Sequence, residues 1–290
     1  MPADPIPGFV PRSFIRSVAY HSLLTISRAF YKAGNGALFT AAGLLRRDEL
    51  QGASVEQWRR FNVAPGDVDA GLTPAELDFY GRFIPANSRI LLIGCGTGRD
   101  VLGLEALGHD VIGLEPGSDL SEQARQHLAR HGSAAEIRTG LVQSAELGGP
   151  YDVAIFSNGC YSFLQGSAVR VAALQRVAAS LTPDGRIIVS YHSTTRHSAI
   201  GRWLTRTAAR VSGADWTPED GDTFTRDSHV AALIRYHHVF ASREFAVECE
   251  KAGLHMLVED PSRDWQWFAA AERPRRQDLA ESRHAPRAAC

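Results

Sequence analysis

Between Arg89 and His192, short apolar runs alternate with segments of helix length, and this rhythm limits the fold more than any other feature of the chain. RILLI (89–93) reads as a buried strand, followed by strands at DVIGLE (110–115), AEIRTG (135–140), YDVAIFSN (151–158) and RIIVSYH (186–192). The spacing predicts helices at RDVLGLEALG (99–108), LSEQARQHLARHG (120–132) and AVRVAALQRVAASL (168–181). Gly108, Gly132 and the turn Thr182-Pro183-Asp184-Gly185 close them. Strands separated by helices of this length build a parallel sheet with helices on both faces. Such sheets hold ligands at the carboxyl ends of their strands.

The segments on either side are less regular. Residues 1–12 are proline-rich and expected to be mobile. Ser13 to about Arg47 is helix-like and expected to split at Gly34-Asn35-Gly36. Its first half puts Phe14, Val18, Leu23, Ile26 and Phe30 on one face, as a lid, a packed helix or a membrane-surface helix would. Residues 48–72 read as polar and turn-rich. LTPAELDFYGRFI (72–84) reads as a capped helix, with Thr73 as cap, Pro74 at the first helical position and Glu76 completing a capping box. Beyond His192 the rhythm breaks. Residues 193–235 read as an insertion with one basic helix, IGRWLTRTAARV, and a polar loop. The helix SREFAVECEKAG and strands LHMLVED (254–260) and WQWFAAA (265–271) follow. The expected division is an N-terminal helical lid over 1–71, one domain over 72–272 and a disordered tail over 273–290.

Bulk properties exclude several classes. The net charge is −1 over 290 residues, so electrostatics give no reason to expect nucleic acid. Cys95, Cys160, Cys249 and Cys290 form no CxxC pair, which argues against zinc and a disulfide framework and suits a reducing cytoplasm. No run of eighteen apolar residues is present, so no spanning helix is expected, although peripheral contact by the N-terminal helix is compatible with the pattern.

GCGTG (94–98) sits between the first strand and its helix. A dinucleotide fingerprint needs GxGxxG, but the sixth position here is Arg99. A turn this dense in glycine admits a ligand without pyrophosphate against bare backbone, and amides at the helix start can meet a carboxylate. Glu115 ends the second strand beside that turn and can accept hydrogen bonds from both hydroxyls of a ribose.

The stretch ILLIGCGTGRDVLGLEALGHDVIGLEPGSDLSEQAR resembles the cofactor half of the class I S-adenosylmethionine-dependent methyltransferases. GCGTG matches that family's first motif. GLEP matches its acidic second motif, YDVAIFSN the strand facing the transferred methyl group, and LTPDGRIIVS the turn and strand that follow. The resemblance covers about residues 72–271. It implies a Rossmann-like, doubly wound seven-stranded sheet with the last strand antiparallel, and S-adenosylmethionine as cofactor. It implies cofactor contacts at Gly94, Cys95, Gly96, Thr97, Gly98, Asp100, Glu115, Pro116, Leu141, Ser157 and Asn158. Where the family carries an Asp that binds the adenine amino group, this chain has Leu141. Gln143, Ser144 or a backbone group must then do that work.

The implied reaction is methyl transfer to O, N or S of a small molecule. The activated methyl group asks the protein mainly to orient the partners and exclude water, with a base only where the acceptor carries a proton. His192, at the end of the fifth strand, is the first candidate base. His237 and His238 are others, with His21 more remote, and Tyr161 is a candidate contact. SNGCYSFL (157–164) lacks the Asn-Pro-Pro-aromatic motif of enzymes that methylate nucleic-acid bases. Phe14, Tyr20, Phe30, Tyr31, Phe39 and Trp203 lie in the segments expected to roof the pocket. The alternatives are non-methyl transfer in the same pocket, a nicotinamide oxidoreductase, and a non-catalytic binder.

Overall fold

The structure is a computed structural model that describes residues 14–59, 69–193, 199–226, 233–261 and 266–274, without the side chains of 14–19, 57–59 and 226. The side chains of Phe14 and Val18 of the expected lid face, and the expected mobile N-terminus and most of the tail, therefore lie outside what is described. Strands β1 (Arg89–Ile93), β2 (Asp110–Glu115), β3 (Ile137–Thr139), β4 (Tyr151–Phe156), β5 (Leu181–His192), β8 (His255–Asp260) and β9 (Gln266–Glu272) form one sheet. Its order is β3-β2-β1-β4-β5-β9-β8. β3, β2, β1, β4 and β5 run parallel, and β9 is antiparallel to both its neighbours. The expected doubly wound, mostly parallel seven-stranded sheet is thus present.

Successive side chains of a strand point to opposite faces, and both faces here are covered. Leu91, Ile93, Ile112, Leu114, Ala154 and Phe156 join one core, under α6 (Ser167–Ala179) and α8 (Glu244–Ala252). Ile90, Leu92, Val111, Val153 and Ile155 join the other, against α3 (Pro74–Phe83), α4 (Arg99–Ala106) and α5 (Ser118–Arg130). This two-sided burial is why the strands read as continuous apolar runs. α3 starts as its residues suggest. Thr73 Oγ1 accepts from Glu76 N at 3.3 Å, and Glu76 Oε2 accepts from Thr73 N at 2.6 Å.

Three expectations fail outside the sheet. α1 (Phe14–Leu44) runs unbroken through Gly34-Asn35-Gly36. Thr40 Oγ1 donates to Gly36 O at 2.9 Å, and Gly36 faces Leu204 on α7 (Ala199–Ser212), so packing overrides a local turn signal. Part of the supposedly turn-rich 48–72 is a helix, α2 (Arg47–Arg59). Its amino end is satisfied by carboxylates. Arg46 N donates to Glu49 Oε2 (2.7 Å) and Arg47 N to Asp215 Oδ1 (2.8 Å). The 193–235 segment contains α7 and a strand, β6 (Asp222–Arg226), which pairs antiparallel with β7 (Ile234–His238). Ala42, Leu50, Trp216, Phe224 and Tyr236 bury a third, smaller core there. α1, α2, α7 and this hairpin together make a cap beside the sheet.

Candidate active site

A cavity of about 370 Å³ opens at the carboxyl ends of β1, β2 and β4. Its floor is the glycine turn. Gly94 has φ +74°, and a Cβ there would stand 2.8 Å from Cys160 Cβ, so the β1 and β4 turns touch only because this residue has no side chain. Gly96, at φ +54°, would project a Cβ into open space, which leaves its backbone bare toward the cavity. Gly98 differs. Its missing side chain faces Leu128 of α5 at 3.3 Å, and it does not line the cavity.

Glu115 ties the second strand to that turn. Its Oε2 accepts from Gly96 N at 3.0 Å and its Oε1 from Gly117 N at 2.9 Å. The residue is only 4% exposed, and burial pushes its carboxyl up from the ordinary range while the two amide hydrogen bonds pull it back. An ionised carboxylate offers about four acceptor positions. Two are used by backbone, and the others remain for a ligand's hydroxyls.

Asp100, at the start of α4, accepts from Ser157 Oγ at the end of β4 and from Arg99 Nε. Arg99 also reaches Glu76 Oε1 at 2.7 Å, so the capping box of α3 holds the cation that faces Asp100. Burial raises the Asp100 carboxyl above its usual value, Arg99 lowers it and Glu76 raises it further. A buried carboxylate flanked by one shared guanidinium is suited to a second cation from the cavity side.

Gly94, Cys95, Gly96, Thr97, Asp100, Glu115, Pro116, Leu141, Ser157 and Asn158 line the cavity together. Gln143 lines it too, and its Oε1 is buried with no hydrogen-bond partner. Ser144 is exposed and is not in the lining. The remaining wall was not foreseen. Gln51, Ser54 and Val55 of α2 close the cavity from above. Gln165 joins the two sides when its amide is oriented to suit both neighbours. Its nitrogen then donates to Arg47 O at 3.1 Å and its oxygen accepts from Gln51 N at 2.9 Å. The missed signal was the carboxylate pair Asp48-Glu49, which marks a helix start.

The candidate catalytic residues separate. Tyr161 is fully buried and turned away from the cavity. Its hydroxyl donates to Glu248 Oε2 at 2.7 Å, and its ring stacks on Phe240 at 5.6 Å. It belongs to a buried ion-pair cluster in which Arg170 Nε donates to Glu248 Oε1 (2.8 Å) and its Nη2 to Glu219 Oε2 (2.9 Å). His238 is also fully buried, with Nδ1 2.9 Å from Asp222 and Nε2 2.9 Å from Glu244. Burial lowers its pKa, but the two carboxylates outweigh that and hold it above the ordinary value. Neither residue reaches the cavity, so the expected contact by Tyr161 and base role for His238 are corrected to structural roles. Cys160 lines the cavity, and burial holds its thiol well above the usual range, which disfavours the thiolate a nucleophile needs.

His192 is half-buried behind the wall. Its Nε2 would stand 2.8 Å from a Cβ on Gly159, the neighbour of Asn158, and its ring meets Phe163, which lines the cavity. Burial, then Arg235, lowers its pKa to about 4, so the imidazole is neutral at ordinary pH. His237 lies next to it, ring centres 5.7 Å apart, with Nδ1 buried and unpartnered. Tyr20, Phe30, Tyr31 and Trp203 do not roof the pocket as expected; they are exposed. Phe39 packs on Gly201 and Phe224 instead.

The family model described as a methyltransferase domain matches residues 70–259. The chain belongs to that family. A curated relative, the ubiquinone biosynthesis O-methyltransferase of Xanthomonas axonopodis pv. citri, is 28% identical over 122 residues. That alignment covers 41% of this methyltransferase domain protein and 49% of the relative, so the chain spans about half the length of the curated protein it matches. Among solved structures, an S-adenosylmethionine-dependent methyltransferase from Methanosarcina mazei superposes with a TM-score of 0.57 at 17% identity. The match covers 71% of this chain and 99% of that one. The CcbJ methyltransferase of Streptomyces caelestis superposes at 0.53 with 16% identity, covering 77% and 98%. At these identities the likeness is one of fold.

Proposed function

We propose that this methyltransferase domain binds S-adenosylmethionine in the 370 Å³ cavity and methylates O, N or S of a small molecule. The observation that carries the reading is the Glu115 carboxylate, held between Gly96 N and Gly117 N beside a bare glycine turn. Three features fit the cofactor. Glu115 has acceptor positions left for ribose hydroxyls. The orphaned Oε1 of Gln143 is an acceptor for the adenine amino group, in place of the acid that Leu141 replaces. Asp100, short of cations, suits the ammonium of the methionine part. When bound, the cofactor supplies a methyl carbon already activated on a sulfonium.

The chain's own part is positioning. The glycine turn and Glu115 fix the nucleoside end, while Ser157, Asn158 and Phe163 border the side left for the acceptor. In this reading His192, which does not itself line the cavity, is the base through a bridging water past Gly159, neutral at working pH. With a pKa near 4 it stays unprotonated above about pH 5, so acceptor methylation should show no histidine limb between pH 6 and 8. His192→Asn should lower kcat about 10²-fold for an acceptor that must lose a proton, with little change in KM for the cofactor.

The cap of α1, α2, α7 and the hairpin is the lid, with 72–272 as the catalytic domain around the insertion at 193–235. The acceptor is a small molecule, not a nucleic-acid base, because the 157–164 wall lacks the base-methylating motif. No helix of the described residues is long and apolar enough to cross a membrane. Cys95, Cys160 and Cys249 are free thiols, as a reducing cytoplasm would keep them.

Thermal unfolding with S-adenosylmethionine, S-adenosylhomocysteine, NAD or NADP tests the reading. A ligand at a hundred times its dissociation constant adds about 2.7 kcal/mol. Stabilisation by the two sulfur nucleosides alone, lost in Glu115→Ala, is the expected result. Stabilisation by NAD would overturn it.

A further inference from the structure

The cap carries most of the large apolar side chains exposed among the described residues. Ten of the fourteen large apolar side chains exposed among the described residues lie on α1 and α7. On the first half of α1, at 100° per residue, Leu23, Ile26 and Phe30 with Tyr20, Leu24 and Tyr31 occupy one side. His21, Thr25, Arg28 and Lys32 occupy the other. Phe30 is 75% exposed and Tyr31 71%. On α7, Ile200, Trp203 and Val211 form an outward stripe, while Gly201, Thr205, Ala208 and Ala209 pack inward.

Charge selects the partner. The chain as a whole carries −1, yet α1 and α7 contain no Asp or Glu. They hold Arg16, Arg28, Lys32, Arg202, Arg206 and Arg210. Arg202 and Arg206 share a single acid, Asp220, at 2.9 and 3.3 Å, which leaves the face positive. A second copy seated on this face would set cations against cations. A surface of anionic headgroups complements them, and the apolar side of an amphipathic helix with aromatic rings is suited to the boundary beneath.

We propose that the outer face of α1 and α7 is a docking surface for an anionic membrane. Because the same cap roofs the cavity through α2, docking would hold the roof against lipid. On the methyl-transfer reading, that arrangement serves an amphiphilic acceptor. The docking itself does not depend on that reading, so the two fail separately.

Flotation of the full chain with vesicles tests it. The chain should float with phosphatidylglycerol–phosphatidylcholine vesicles and bind pure phosphatidylcholine at least tenfold more weakly. Phe30→Glu with Trp203→Glu should lose at least tenfold in binding to the anionic vesicles, with an unchanged unfolding midpoint, since both side chains are exposed. Arg28→Glu with Lys32→Glu should lose the preference for anionic lipid. Failure of the wild-type chain to float with either vesicle would overturn the proposal. So would a dimer by light scattering that Phe30→Glu converts to monomer, which would assign the face to a second copy.

Discussion

The two ends of the cavity are built by different means. At the β1–β2 end the site is made of backbone: Gly94 and Gly96 of the turn, two amides on Glu115, and strand ends set by the sheet register. At the β4 end it is made of side chains, among them Gln51, Ser54 and Val55 brought from far along the chain by α2, which Gln165 ties to the wall. Behind that second end stands a buried charge cluster with Arg170 at its centre, whose Nη1 donates to the carbonyl oxygen of Leu164 in the cavity wall. The contrast shows that a wall of backbone can be specified by a five-residue motif, whereas a wall of side chains needs most of the chain in place.

Substitutions at the two ends should therefore fail in different ways. The largest effect belongs to Arg170→Ala. It leaves Glu248 and Glu219 without their cation, and breaking a buried pair costs about 3–5 kcal/mol. Urea unfolding should show that loss, and any cofactor defect should follow from it. Gly94→Ala comes next. A Cβ at φ +74°, 2.8 Å from Cys160 Cβ, should cost about 1–3 kcal/mol and also disturb the turn, so cofactor-induced stabilisation should fall along with the midpoint. Equal cofactor shifts in mutant and wild type would show the turn tolerating more than its backbone suggests.

Gln143→Leu sharpens the comparison without touching the fold. It removes the unpartnered Oε1, so calorimetry should find the nucleoside bound about tenfold more weakly while the free protein keeps its stability. Unchanged affinity would move adenine recognition to backbone. The smallest effect is one of pH. The pKa of His238 is raised in the folded state, between Asp222 and Glu244 and near Arg170 and His237. The folded form thus holds the proton more tightly than the unfolded chain. That contribution is present below about pH 6.5 and fades as pH rises through the raised value. Urea midpoints should decline across that alkaline window in the wild type and decline less in His238→Gln.

The sheet and the glycine-turn end of the cavity were legible because their signals are local. A buried parallel strand shows as an unbroken apolar run, and a backbone-lined turn shows as glycine. Even the acid that replaces the usual second-motif residue, Glu115, is read from its distance to the turn. The opposite end was not legible because its meaning depends on partners remote in sequence. Tyr161 sits in a loop that should face the ligand, yet Glu248, 87 residues on, draws its hydroxyl inward. His238 looks like a free base until Asp222 and Glu244 are seen on both nitrogens. Gly34-Asn35-Gly36 has the composition of a turn, and only the packing of α7 shows why the helix continues.

The crossing of α1 and α7 has a mechanical consequence. A Cβ on Gly43 would meet Thr205 O at 2.4 Å and Ala208 Cβ at 2.8 Å, and one on Gly201 would meet the Phe39 ring at 2.8 Å. Ser212 Oγ donates to Gly43 O and Thr205 Oγ1 to Phe39 O, which pins the contact. α1 extends beyond this clamp by the twenty or so residues before Gly34, about 30 Å of helix at 1.5 Å per residue. It is a lever with its fulcrum at one end. A tilt of about 10° at the fulcrum swings the tip by about 5 Å over that length. Two residues with no side chain thus set the bearing of a rod whose far end they never touch.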